Sequence, residues 1–99
     1  MVKVYIAHPM AGLSDEVIKT IRAVAFDDIQ KRHANVVVIN SYHPEWADLN
    51  PVEALGKALE YLVDADVAYF AGEWEDSRGC QIEWAVCEMY GIPHASIDV

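Results

Sequence analysis

A three-layer α/β fold on a parallel sheet of four to five strands, in the order 2-1-3-4, is what this sequence predicts. Short apolar runs at Val2–Ala7, Val36–Asn40, Val67–Ala71 and Ala95–Val99 alternate with three segments of helical periodicity. The runs are nearly unbroken, and those at Val36 and Val67 are led by β-branched residues, as in strands covered on both faces. Strands alternating with helices fold as βαβ units with right-handed crossovers, which makes the sheet parallel. No repeat, linker or low-complexity stretch divides the 99 residues, so one domain spans 1-99.

The first strand, VKVYIA, runs into His8-Pro9-Met10-Ala11-Gly12, a turn built on Pro and Gly. Ser14 stands where an N-cap belongs, and Asp15 and Glu16 occupy the first turn, where the helix dipole favours anions. Val17, Ile18, Ile21, Val24, Ala25 and Ile29 follow at helical spacing and give that helix one face for the sheet. The second strand leads into a polar and aromatic loop, Ser41–Leu49. Asn50 then caps the next helix, Pro51 takes its first position and Glu53 lies three residues beyond the cap. Ala54, Leu55, Ala58, Leu59, Leu62 and Val63 form its apolar stripe. After the third strand comes Gly72–Gly91, GEWEDSRGCQIEWAVCEMYG, a polar turn followed by a helix. Gly91 suits the left-handed position past a helix end, and Pro93 cannot continue the helix.

Charge narrows the function classes. The net charge is −9 with no basic run, so the bulk field repels nucleic acid polymers and anionic membranes. Cys80 and Cys87 fall seven residues apart on one helix, ~10 Å along its axis, beyond the reach of a disulfide. With no signal peptide and no apolar run of ~18 residues, a cytoplasmic protein is expected. The histidines are scattered, and neither a dinucleotide fingerprint, a P-loop, a CxxC pair nor a GxSxG elbow occurs; no metal and no cofactor are expected. The last helix is apolar on nearly all sides, which predicts a homo-oligomer in which a neighbouring subunit covers it.

In such sheets ligands bind outside the carboxyl ends of the strands, where strand order reverses. That places a crevice between the first and third strands, lined by His8–Gly12 (with Pro9, Met10 and Gly12), by Asn40–Trp46, and by Gly72–Gly79 with Trp74. His8 is a candidate donor to a sugar or phosphate oxygen, and Gly12 permits close backbone approach. His43 and Trp46 either stack a flat ring or pack on the second helix. Asp76, Ser77, Arg78 and Gly79 open the last helix, where N–H groups and a guanidinium suit an anion; the plainer account is a cap and a neutralised acid. Glu83, among Ile82, Trp84, Ala85 and Val86, is costly to bury unless something uses or pairs it. It is a candidate nucleophile or general base, against the alternative that it reaches solvent or pairs with Arg78.

These residues carry a family resemblance. VKVYIAHPMAG is similar to the strand–Gly/His/Ser–Pro–x–x–Gly opening of the nucleoside 2-deoxyribosyltransferase superfamily. LVDADVAYF, followed by the G-x-x-x-E of Gly79 and Glu83 and the G-x-P of Gly91 and Pro93, resembles its second half, with closest likeness to a small bacterial and phage subgroup. The resemblance spans nearly the whole chain and implies a flavodoxin- or Rossmann-like sheet. It also implies cleavage or transfer at the N-glycosidic bond of a small nucleoside or nucleoside 5′-monophosphate, with a neighbouring subunit completing the site. Glu83 takes the place of the nucleophile, His8–Gly12 that of the ligand-binding turn, and Asp76 that of the acidic loop. One position departs: the family aspartate that positions the sugar or protonates the leaving base, eight residues before Asp66, is Ala58 here. A module that holds a nucleotide or ADP-ribose-like ligand without turning it over is the alternative.

Overall fold

The computed structural model describes residues 1–98. The chain runs β1 (Val2–Ala7), α1 (Asp15–Gln30), β2 (Val36–Val38), α2 (Pro51–Leu62), β3 (Val67–Phe70), α3 (Arg78–Tyr90) and β4 (His94–Ser96). All four strands are parallel, in the order β2-β1-β3-β4. This is the α/β, flavodoxin- or Rossmann-like arrangement that the sequence predicts. The expected last strand begins one residue earlier than anticipated, and Val99 lies outside the described residues.

Alternation along β1 builds the three layers. Val4 and Ile6 point to one face and pack with Ala25 and Ile29 of α1. Tyr5 and Ala7 point to the other and pack with Leu62 at the end of α2 and with Cys80 and Cys87 of α3. Phe70 is fully buried in that second layer, against the rings of Trp74 and Trp84 at 5.3 and 5.0 Å. Burial of a side chain of this size contributes roughly 1.5–3 kcal/mol.

Local signals set the helix starts. Ser14 accepts a hydrogen bond from the Val17 N–H, Asn50 from Val52 and Ser77 from Cys80. Ser77 is thus the residue of the Asp76–Gly79 stretch that caps the last helix. Gly91 takes the left-handed conformation, at φ 71°, and its N–H closes onto the Cys87 carbonyl.

The apolar stripes reach further than the core does. Val17 and Val24, seven residues apart on α1, are exposed, as is Val63 past the end of α2. Each helix carries a wider apolar arc than one sheet face covers. β2 is shorter than expected: the Ile39 N–H still bonds the Val4 carbonyl, but Asn40 falls outside the ladder. In the loop that follows, Pro44–Asp48 winds into a 3-10 turn.

Candidate active site

Three turns meet at the carboxyl edge of the sheet. β1 and β3 lie side by side while the chain leaves them in opposite directions, β2 to one flank and β4 to the other. Strand order reverses there, and a cleft of about 950 Å³ opens. Pro9, Met10, Ala11 and Leu13 form its wall on the β1 side, with Ile21 from α1. Gly72, Glu73, Asp76, Ser77, Arg78 and Gly79 form the opposite wall, with Ile82 from α3. The third wall is the start of α2, Asn50–Val52 and Leu55. The starts of α2 and α3 and the turn before α1 border one space, with Glu73, Asp76 and Arg78 as its charged side chains.

Gly72 holds two of these turns together. Its φ is 65°, and a Cβ there would stand 3.6 Å from Cδ of Pro9. A side chain at this position would be strained by the positive φ, while its Cβ would meet Pro9 at ordinary contact distance. Arg78 is exposed and belongs to no ion pair among the described residues. Its charge stands on the cleft rim beside Glu73 and Asp76.

Glu83 lies beneath this cleft rather than on its wall. It is 6 % exposed, and its carboxylate accepts a hydrogen bond from the Tyr5 hydroxyl of β1. Gly79, which does line the cleft, stands one helical turn before it. Burial pushes the Glu83 carboxyl up to about 7, and the Tyr5 bond pulls the other way. The Tyr5 phenol is raised well above its ordinary value, by burial first and then by the charge and hydrogen bond of Glu83. Cys80 and Cys87 flank Glu83 on α3, and burial is the main cause that raises both thiols to about 11. At neutral pH the thiols and the phenol stay protonated, and Glu83 is the group in that cluster poised to change charge.

Other expected ligand-binding residues are placed elsewhere. His8 is buried on the α1 face of the sheet: its Nδ1 bonds the Pro9 carbonyl at 3.0 Å and its Nε2 faces Nη1 of Arg22 at 3.1 Å. A carbonyl only accepts, so Nδ1 carries the proton and Nε2 accepts from the guanidinium. Both ring nitrogens are thereby committed within the protein. Gly12 is exposed in the turn, at φ 77°, and leaves the cleft to its neighbours. His43 stacks on Trp46 at 4.1 Å and on Tyr61 of α2 at 5.2 Å, which is the packing alternative rather than a platform in the crevice. Trp74 stacks on Trp84 at 4.5 Å and donates to Ser96 Oγ, so it belongs to the aromatic layer against β4.

Tyr5, Arg22 and the start of α2 were not among the expected site residues, whereas Ser41 lies within the expected Asn40–Trp46 lining. Tyr5 had a signal, being the one aromatic residue in its strand. Arg22 sits within a helical stripe of apolar residues and had a weaker one. A family model described as a domain of unknown function, DUF4406, matches residues 2–94. No curated protein and no solved structure matches the chain.

Proposed function

The chain belongs to the DUF4406 family, and on that footing we propose that it acts at the N-glycosidic bond of a small nucleoside or nucleoside 5′-monophosphate, with Glu83 as nucleophile. The observation that carries this reading is a buried carboxyl near neutrality, bonded by a tyrosine, one helical turn from the wall of a ligand-sized cleft. Ionised Glu83 attacks the anomeric carbon, and the electron pair of the C–N bond leaves with the base, which gains a proton. Water or a second base then displaces the carboxylate from the sugar. Asp76, on the cleft rim, is the candidate proton donor in place of the absent family aspartate. Access to Glu83 passes Gly79: a Cβ at that position would meet only Ser77 Oγ, 4.0 Å away. Met10, Leu13, Ile21 and Leu55 offer aliphatic surfaces for a base, and the helix N-termini with Arg78 suit a phosphate.

A second reading has its own support. Glu83 lies outside the cleft lining and Ala58 replaces an acid, both of which favour a module that binds a nucleotide or ADP-ribose-like ligand without turnover. Incubation with a panel of nucleosides and 5′-monophosphates, with free base followed by chromatography, separates the two. Base release by the wild type and not by Glu83→Gln is the expected result. A ligand that binds by calorimetry and stays intact assigns the chain to the second reading.

A second copy of the chain is the proposed cover for α3. Ile82, Met89 and Tyr90 are exposed, the last two at 79 %, and Ile82 also belongs to the cleft wall. Light scattering at micromolar concentration is expected to give a dimer or larger species; a monomer would remove the shared-site proposal. No described helix is long and apolar enough to cross a membrane. Two buried, unbridged cysteines fit the proposed cytoplasmic setting.

A further inference from the structure

On the α1 face of the sheet, Arg22 reaches toward the carboxyl ends of β1 and β2. Its Nη1 lies 3.1 Å from His8 Nε2, 3.3 Å from Ser41 Oγ and 3.5 Å from the Ile6 carbonyl. All three partners are neutral, since the His8 tautomer is fixed by Pro9 and Ser41 is a hydroxyl that itself donates to Ile6. The chain holds sixteen acidic side chains against seven basic ones, yet no ion pair among the described residues includes Arg22. Lys19, Lys31 and Arg32 on or just after the same helix each pair with an acid four residues earlier. A half-buried cation without a counter-ion is costly, and burial lowers the affinity of this guanidinium for its proton.

The remaining edge of the guanidinium, Nε and Nη2, makes no hydrogen bond among the described residues. Arg22 also lines a shallow, open groove of about 410 Å³ beside β2, bordered by Ile6, Ala23, Phe26 and Val36–Val38. The walls are apolar and the fork is flat. A carboxylate accepts two parallel N–H bonds from such a fork, and an aliphatic tail fits the surface beside it. We propose that Arg22 and the groove beside β2 form a second ligand site, separate from the crevice, that takes a small monocarboxylate with an aliphatic tail.

The test is a titration of isotopically labelled protein with isovalerate, followed by NMR. The Arg22 Nε–H and the amides of Phe26 and Val36–Val38 are expected to shift and to saturate in the millimolar range. Isovaleramide, which has the same tail and no charge, is expected to leave them unmoved, and Arg22→Met to abolish the response. Should Arg22→Met fail to fold, Arg22→Lys keeps the charge without the fork and is expected to bind about tenfold more weakly. Equal shifts with isovaleramide, a normal titration of either variant, shifts confined to Met10 and Ile82, or no saturable shift would each overturn the proposal. None of these outcomes depends on whether the crevice cleaves a glycoside.

Discussion

Glu83→Gln is expected to leave stability nearly unchanged around pH 4 and to raise it by on the order of 3 kcal/mol above about pH 8. The folded-state value of about 7 lies above the ordinary carboxyl value of 4.5, because the side chain is 6 % exposed. Between those two values the folded chain holds a proton that the unfolded chain has released. Wild-type stability therefore falls as pH rises from about 4.5 to about 7, and then levels off. Glutamine is neutral throughout and keeps an oxygen for the Tyr5 hydroxyl, so it escapes that loss. For a domain of this size the gain corresponds to roughly 10–20 °C in melting temperature. Thermal melts of both proteins across the pH range check it. A wild type that matches or exceeds the variant at high pH would mean that Glu83 is not a desolvated acid.

Tyr5→Phe is expected to act in the opposite sense. The hydroxyl donates to the Glu83 carboxylate, so its removal pushes the carboxyl above its present value of about 7. The ionised form then loses a charge-assisted hydrogen bond, at a cost of roughly 1.5–3 kcal/mol, while the neutral form loses about 1 kcal/mol. The variant is therefore less stable than wild type at all pH values, with the larger deficit on the alkaline side. Under the proposed function its pH–rate profile moves to higher pH, since more alkali is needed to ionise the nucleophile. Parallel melting curves and an unmoved profile would show that the Tyr5 hydroxyl does not influence the ionisation of Glu83.

Much of the fold was legible because it rests on local signals. Ser14, Asn50 and Gly91 each mark a helix end through their own backbone chemistry, and the apolar runs at Val2, Val36 and Val67 each begin a strand. The parallel sheet followed from the alternation of strands and helices. The site was legible only in outline, because side-chain direction is a tertiary property. His8 belongs to the turn expected to hold a ligand, yet its place in the pleat sends it to the α1 side with Val4 and Ile6, where Arg22 claims it. Trp46 read as a possible platform and Trp74 as crevice lining, but each found an aromatic neighbour from another element. Glu83 was recognisable as an anomaly in its helix. Its partner, Tyr5, lies 78 residues away, and no spacing rule connects the two.

The indoles of Trp74 and Trp84 lie face to face, 18° from parallel. Two such chromophores at this separation couple their electronic transitions, so the near-ultraviolet circular dichroism of the chain reports the seating of α3 on β3. Under the proposed function, a molecule entering beside Gly79 would meet the same helix. The protein thus carries its own optical gauge at the place where its chemistry is proposed to occur.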